Sequence, residues 1–191
     1  KFASIFKIII DAIGKAFSPF FLEESANKKG DFKHNIVKKF YEISVILGFF
    51  GIAISLFSEE ALIILTTSEF YFAKFFVPIL ICFYLFGLLG QISINQFIHS
   101  KKLHYLIPIS LIGLIVNITL NIIFIPKYGV MGAAFSTSFA AMITSILQLY
   151  YGNKLFNLPL NLNKLASLFL LILICLGAGY SILFLEFSYL I

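Results

Sequence analysis

The chain has 191 residues, of which 60% are hydrophobic and 12% are charged, with a formal net charge of +5. Soluble globular domains are about 45–50% apolar and about 25% charged, so this composition excludes a disordered chain, a fibrous repeat and an ordinary soluble domain. What remains is an all-α, multi-pass membrane protein with room for five or six spans, because one span needs about 20 apolar residues. Cys82 and Cys175 both lie in apolar runs, which favours small buried side chains over a disulfide or a metal site.

Six apolar segments are predicted to form transmembrane helices within a single helical domain over residues 1–191. They cover residues 2–22, 40–57, 73–97, 103–125, 130–151 and 165–185. The chain opens without Met inside the first segment, which favours a fragment that lacks its N-terminal part. The segment from Ser58 to Leu65 is predicted to be a short amphipathic helix at the outer interface, or else an extension of the second span. Ser58 is expected to be its N-cap, ahead of Glu59 and Glu60.

The lysines alternate between the loops on the two sides of the predicted bundle. Nine lie on one side, namely Lys28, Lys29, Lys33, Lys38, Lys39, Lys101, Lys102, Lys154 and Lys164. The opposite loops contain Lys74 and Lys127 together with three glutamates. Lys and Arg mark cytoplasmic loops, so the lysine-rich side is predicted to be cytoplasmic and both chain ends to lie outside. Topology therefore accounts for the net charge, and no nucleic-acid partner is expected.

Heavy use of Phe, Ile, Lys and Asn is typical of an AT-rich bacterial coding sequence. The predicted location is the bacterial cytoplasmic membrane, where the partners include membrane lipids.

A charged stripe interrupts the first predicted span. Lys7, Asp11 and Lys15 follow one another at four-residue spacing, which places them on one face of a helix. Charges within a span face a cavity or a partner by default, so this face is a candidate substrate pathway with two cations for an anionic substrate. In the alternative interpretation, Lys7 and Asp11 neutralise each other and the Lys15 side chain extends to the membrane interface.

Four amide side chains lie in the third and fourth predicted spans. Gln91 and Asn95 are one helical turn apart, and so are Asn117 and Asn121. Amides within spans commonly form hydrogen bonds between helices, with a modest gain in stability. Both this interpretation and direct contact with a substrate place these faces toward the bundle interior.

A tight outer turn is predicted between the fourth and fifth spans, where Pro126 and Gly129 break the helix. The fifth span then has two ridges of small residues at four-residue spacing, Gly132, Ser136, Ala140 and Thr144, and Ala133, Thr137, Ala141 and Ser145. Small side chains allow close approach of helix backbones in a membrane, so a packing motif is predicted. A sliding surface for conformational change is the secondary interpretation.

Sequence motifs for enzymatic chemistry are absent. The chain has no Walker A loop and no cluster of His, Cys and carboxylates with metal-ligand spacing. The predicted outer loops are short, which disfavours a membrane glycosyltransferase or polymerase. The chain is therefore not predicted to be an enzyme, and neither a cofactor nor a metal is expected.

The segment from Asn117 to Thr137, which reads NITLNIIFIPKYGVMGAAFST, resembles a segment of the bacterial polysaccharide flippases. These are the O-antigen and capsule repeat-unit exporters of the MATE-like MOP superfamily. The stretches from Thr67 to Ala73 and from Ala16 to Pro19 are similar to segments of the same family. The resemblance covers nearly the whole chain, which would correspond to the C-terminal half of such a protein.

The resemblance implies half of a twelve- to fourteen-helix MOP transporter fold made of two pseudo-symmetric bundles, so the missing N-terminal helical bundle would be a partner. An undecaprenyl-diphosphate-linked oligosaccharide repeat unit would cross a central cavity by alternating access, driven by an ion gradient. Lys7 and Lys15 would contact the diphosphate or acidic sugars, and Asp11 would carry the ion or proton step. The alternatives are a MATE-type drug/cation antiporter, which predicts an acidic cavity, and a non-transporting membrane assembly subunit.

Overall fold

A computed structural model describes residues 3–27 and 30–189, with the side chains of residues 6–27, 30–69, 71 and 73–178. Every regular element in this part of the chain is helical, and it contains no strand. The α-helices are α1 (Ala3–Asn27), α2 (Phe32–Leu56), α3 (Ser58–Leu65), α4 (Val77–His99), α5 (Leu106–Leu155) and α6 (Leu162–Tyr189), with 3₁₀ helices at Ser68–Phe75 and Leu103–Tyr105. The predicted start of the first span at residue 2 and the loop lysines Lys28 and Lys29 lie outside the described residues.

The apolar character of the helices identifies an all-α membrane protein. Three helical segments are long and apolar enough to cross a membrane by length and composition, namely Phe32–Leu56, Ala73–His99 and Leu103–Leu155. The large apolar side chains of α5 remain exposed along one face, as at Ile115 (63%) and Ile122 (70%). Soluble monomers rarely expose such continuous apolar surface, whereas a lipid bilayer is its natural surrounding.

The helices α1 and α2 extend beyond the predicted spans. α1 continues to Asn27, and α2 begins at Phe32 instead of residue 40, so the predicted lysine-rich loop is shorter than expected. Gly30, in the described part of this connection, has φ 57°. A helix of 25 residues is about 37 Å long. Because the hydrocarbon core is about 30 Å thick, the polar helix ends can project beyond it without losing their helical hydrogen bonds.

The connection between α2 and α3 is one residue, Phe57. The predicted short helix coincides with α3, but the prediction that Ser58 is its N-cap is wrong. The amide of Ala61 donates to the carbonyl of Phe57 (3.1 Å), so the first turn closes one residue earlier. Ser58 is then the first helical residue, and its buried hydroxyl has no hydrogen-bond partner among the described residues.

The start of α4 is set by Pro78. The predicted third span begins at residue 73, whereas α4 begins at Val77 and the preceding segment Ser68–Phe75 is a 3₁₀ helix. Pro78 lies in the first turn of α4. Proline suits that position because its missing N–H would have no helical acceptor there.

The long helix α5 is broken at Gly129, within the segment where the sequence predicts a turn. Gly129 has φ 55° and ψ −133°, a conformation that is open essentially to glycine alone. Residues 106–128 and 130–155, the first and second halves of α5, contact each other in antiparallel order. The amide of Asn117 lies 3.4 Å from the Thr137 hydroxyl, and Gly113 packs against Thr144. The chain therefore reverses at Gly129, and α5 is a helical hairpin.

The second half of α5 runs parallel to α4. Ser138 donates a hydrogen bond to the carbonyl of Ile79 (2.8 Å), and Ser145 donates to that of Phe86 (2.6 Å). Both pairs are 59 residues apart in sequence. A constant separation over two helical turns means that the two helices run in the same direction in a fixed register.

The helices α1 and α4 are also parallel, with a separation of 77 residues between facing positions. The Ser18 hydroxyl donates to Asn95 Oδ1 at 2.5 Å, and one turn earlier Gly14 contacts the amide of Gln91. α1, α4 and the second half of α5 therefore share one direction.

The helices α2 and α6 run in the opposite direction. They are parallel to each other, since Tyr41 bonds to Asn161 just before α6 and Gly48, further along α2, contacts Ile172. The ring of Phe17 on α1 packs against Phe40 on α2, and Gly51 on α2 approaches the ring of Phe6. These pairs show that α1 and α2 are antiparallel. Apolar side chains from α1, α2, α4 and α6 form the common core, which includes Phe6, Phe17, Phe21, Phe40, Leu47, Ile81, Ile92 and Ile172.

Candidate functional site: a polar cavity between α1 and α4

The three charges of α1 lie on its exposed face. Lys7, Asp11 and Lys15 are all exposed, whereas Phe6 and Phe17 on the opposite face are buried in the core. The four-residue spacing of the charges therefore produces a continuous charged stripe on one side of the helix. This side of α1 is not covered by the other helices in the described part of the chain.

The register between α1 and α4 gives the depth of this stripe. Asp11 is level with Leu88, which is eleven residues from each end of α4. At a rise of 1.5 Å per residue, Asp11 lies about 16 Å from either end of that helix. Lys7 and Lys15 lie one turn to either side, so all three charges are in the middle of the bundle. This position distinguishes them from lysines near helix ends, whose side chains reach the interface directly.

A polar cavity of about 200 Å³ opens beside the stripe, lined by Asp11, Gly14, Lys15, Ser18 and Gln91. Gly14 allows Gln91 to lie against α1, because a Cβ atom at residue 14 would stand 3.1 Å from the Gln91 amide. The cavity therefore combines one carboxylate, one ammonium group, an amide and a hydroxyl at the middle of the bundle.

Asn95 supports the wall of this cavity. Its side chain is fully buried. Its Oδ1 accepts a hydrogen bond from Ser18, and its Nδ2 donates to the carbonyl of Gln91 at 2.9 Å. The amide thus joins α1 to α4 immediately behind the cavity, and it holds Ser18 and Gln91 in place.

The charges of the stripe remain separate from one another. Within the described residues, Asp11 forms an ion pair with neither Lys7 nor Lys15. Two ammonium groups and one carboxylate leave the stripe with a positive excess. Such an arrangement can bind an anionic group through the lysines and hydroxyl groups through Gln91 and Ser18. No group of three His, Cys, Asp or Glu that could hold a metal ion occurs among the described residues.

Asn117 and Asn121 lie elsewhere, between the two halves of α5. Asn121 Nδ2 donates to Asn117 Oδ1 at 2.9 Å, and Asn117 Nδ2 lies 3.4 Å from the Thr137 hydroxyl. Asn121 Oδ1 is buried without a hydrogen-bond partner in the part of the chain that is described. Asn117 thus connects the halves of the hairpin and Asn121 bonds to Asn117, and neither asparagine is part of the cavity beside α1.

The predicted turn and packing residues lie around the tip of the hairpin and along its second half. Pro126 and Gly129 are exposed at the reversal. Gly132 contacts the backbone carbonyl of Phe124, which requires the absence of a side chain. Ser136 is fully buried, while Ala133 and Thr137 are half-buried beside it.

Several polar contacts are not predicted by the sequence pattern. Gln96 is fully buried, and its Nε2 donates to the carbonyl of Phe156 at 2.8 Å. Adjacent residues of α4 therefore contact different helices: Asn95 contacts α1, and Gln96 contacts the end of α5. Lys74 is buried and lies 2.7 Å from Glu59. Adjacent amides within a span are a signal that could have identified Gln96, since successive helical positions point about 100° apart.

Comparison of the chain with protein-family models, with curated proteins and with solved structures gives no match.

Proposed function

We propose that this chain is part of a transporter that moves a lipid-linked oligosaccharide across the bacterial cytoplasmic membrane for cell-surface polysaccharide synthesis. The substrate is an undecaprenyl-diphosphate-linked repeat unit, and transport follows alternating access. The observation that carries this proposal is the charged stripe of α1, which places Lys7 and Lys15 at the middle of a membrane bundle. Ionisable residues at such a depth are energetically unfavourable in lipid, and by default they mark a substrate or ion pathway.

The architecture of the proposed transporter has six spans in this chain. The halves of α5 contain 23 and 26 residues, and each is therefore long enough to cross the membrane. Helix direction alternates along the chain if these halves are counted separately, as six consecutive spans require. In this proposal the lysine-rich end, where α1 ends and α2 begins, is cytoplasmic. The chain then forms one half of a twelve- to fourteen-helix transporter of the MOP type.

A second helical bundle of the same protein is the proposed partner of the stripe. Lys7, Asp11 and Lys15 are exposed on one face of α1, and contact with lipid there would be costly. An opposing bundle would enclose the polar cavity between two halves and provide the rocking interface that alternating access needs.

The residues of the charged stripe and of the cavity beside it have distinct proposed roles. Lys7 and Lys15 bind the diphosphate, whose two negative charges match the two ammonium groups. Gln91 and Ser18 offer hydrogen bonds to sugar hydroxyls. Asp11, between the two lysines, is the group that would take up the coupling ion or proton. No cofactor or metal is needed for this mechanism.

The test measures surface polysaccharide in cells whose own copy of the gene is deleted and replaced by variants of the full-length protein. Lys7→Ala, Lys15→Ala and Asp11→Asn are expected to lower surface polysaccharide at equal membrane levels, whereas Lys15→Arg, which keeps the charge, retains more export than Lys15→Ala. Glu23→Gln is the matched control, because Glu23 is exposed on α1 twelve residues beyond Asp11 and outside the cavity.

Unchanged export in all three variants of the charged stripe would exclude the stripe from the mechanism. Unchanged polysaccharide together with lost resistance to cationic drugs would instead support a drug/cation antiporter. The positive excess of the stripe favours an anionic substrate over a cationic one.

A further inference from the structure

A second cavity lies between α2 and α6 at the lysine-rich end of the bundle. Its volume is about 790 Å³, within the range of about 300–1,000 Å³ that is usual for small-molecule sites. One end has the basic side chains of Lys38 and Lys164, and the other has the apolar side chains of Val45 and Ile46. We refer to this cavity as the α2–α6 groove.

The polar end of the α2–α6 groove is built around Tyr41. The Tyr41 hydroxyl donates to the backbone carbonyl of Asn161 and accepts from its backbone amide, both at 3.1 Å. The side chain of Asn161 in turn caps the start of α6 through the amide of Lys164 (3.0 Å). The ammonium group of Lys164 lies 5.0 Å from the centre of the Tyr41 ring. Lys164 is thus held at the groove by the aromatic ring and the cap together.

The net charge of the polar end is positive. Among the described residues that line the groove, Glu42 carries the negative charge, and Lys39 neutralises it at 3.2 Å. Lys38 and Lys164 are both exposed, and within the described residues neither of them has a carboxylate partner. Two uncompensated ammonium groups at the same rim match a phosphate group.

The apolar end of the groove lies at the depth of an acyl chain. Val45 and Ile46 are 54% and 52% exposed. The pairing of Phe17 with Phe40 places Ile46 level with Asp11, at the middle of the bundle. Lys38 lies eight residues earlier, about 12 Å toward the lysine-rich end. The groove therefore has the length of about one leaflet of a hydrocarbon core that is about 30 Å thick.

We propose that the α2–α6 groove binds one anionic phospholipid, with its phosphate between Lys38 and Lys164 and an acyl chain along Val45 and Ile46. A soluble anion would use the lysines but leave the apolar end uncovered, whereas an uncharged lipid would leave the lysines unpaired. Basic pockets between transmembrane helices are suited to anionic lipid headgroups in this way. The proposal does not depend on what the cavity beside α1 transports.

The absence of Trp from the chain provides a direct test. The variant Ile46→Trp carries one fluorophore in the groove, and Leu111→Trp carries one on α5 at equal exposure (53%). Leu111 is also at a similar depth. Nearby Gly113 faces Thr144, and Thr144 is level with Leu85 near the middle of α4, because facing positions of these two helices are 59 residues apart. Each full-length variant is reconstituted into phosphatidylcholine vesicles that contain either brominated phosphatidylglycerol or brominated phosphatidylcholine at the same mole fraction.

We expect brominated phosphatidylglycerol to quench the fluorescence of Ile46→Trp more strongly than brominated phosphatidylcholine does, and the two lipids to quench Leu111→Trp equally. Adding Lys38→Ala or Lys164→Ala to Ile46→Trp should lower the preference for brominated phosphatidylglycerol about fivefold in each case. This is the contribution that one lysine makes to binding near an anionic surface. Lys102→Ala, which removes a lysine at the same end but outside the groove, should leave the preference unchanged.

Equal quenching of Ile46→Trp by the two lipids would overturn the proposal, and so would a preference that survives the loss of both groove lysines. Quenching by brominated phosphatidylcholine confirms in every variant that the helix is inserted, which separates a lost lipid site from a misfolded protein.

Discussion

Ser18 and Asn95 join α1 to α4 through a hydrogen bond of 2.5 Å, although 77 residues separate them in sequence. The bond lies directly behind the polar cavity, and it fixes the register that places Asp11 at the middle of the bundle. The position of the charged stripe thus depends on a contact between two neutral side chains.

The bond between Ser18 and Asn95 should appear as a coupling energy. In a double-mutant cycle of Ser18→Ala and Asn95→Ala, we expect a coupling of about 0.6 kcal/mol, the average for polar pairs between helices in membranes. The measurement is unfolding by SDS in mixed micelles. Ser44→Ala is the control partner, because the Ser44 hydroxyl bonds within α2 to Phe40 and should show no coupling with Asn95→Ala. Zero coupling between Ser18 and Asn95 would contradict the observed register.

Two glycine substitutions should have opposite effects on stability. A Cβ atom at Gly132 would overlap the backbone carbonyl of Phe124, so Gly132→Ala should force the α5 hairpin apart and destabilise it by about 1–3 kcal/mol. Gly87 lies on α4 with open space beside it, and Gly87→Ala should stabilise the helix by up to about 1 kcal/mol. Unfolding in mixed micelles measures both. A neutral Gly132→Ala would mean that the two halves of the hairpin are not in close contact.

The reversal at Gly129 should tolerate only glycine. Its φ of 55° and ψ of −133° are unfavourable for any residue with a Cβ, so Gly129→Ala should cost about 1–3 kcal/mol although nothing lies within 4 Å of the site. Gly177→Ala on α6 is the control, since its surroundings are equally open and its backbone is helical. Equal melting temperatures for the two variants would argue against a sharp reversal at Gly129.

Local features of the fold could be predicted from the sequence. The short helix α3 and the break near Gly129 both follow from signals within a few residues, namely a polar–apolar change after the second span and a Pro–Gly pair. Hydropathy underestimates the extent of α1 and α2, because it reports the apolar length of a helix and not its polar continuation. The predicted N-cap of α3 differs from the observed one by one residue, since the position of a cap depends on where the previous helix ends.

The registers between helices could not be predicted. They depend on how Gly14, Ser138 and Ser145 fit against particular turns of α4, and sequence spacing contains no information about that fit. The cavity combines three predicted residues, Asp11, Lys15 and Gln91, with Ser18 and Gly14, which no charge or amide pattern identifies. Asn117 and Asn121 are amides at four-residue spacing, as Gln91 and Asn95 are, yet they lie in another interface.

The ion pair between Lys74 and Glu59 should stabilise the end of the bundle that lies opposite the lysine-rich end. Their side chains are 10% and 32% exposed and lie 2.7 Å apart. Glu59→Gln leaves the buried ammonium without its counter-charge and should destabilise the protein by about 2 kcal/mol, less than a fully buried pair because Glu59 is partly solvated. Glu60→Gln, at an exposed neighbouring position, should be neutral. In the double variant Glu59→Gln with Lys74→Met, most of the stability should return; a further loss there would show that Lys74 contributes by something other than charge.

The charged face of α1 should be open to water in the intact membrane. In a protein whose Cys82 and Cys175 are replaced by Ala, Asp11→Cys should react with a water-soluble maleimide, since alkylation requires a solvated thiolate. Leu111→Cys is the matched control, at a similar depth but on the apolar face of α5, and should remain unlabelled until the membrane is dissolved. Labelling of both would mean that depth is misassigned, and labelling of neither would mean that lipid or protein covers Asp11. Reaction at Asp11→Cys alone requires an aqueous path to the middle of the bundle, which is the physical condition for any substrate pathway along this face of α1.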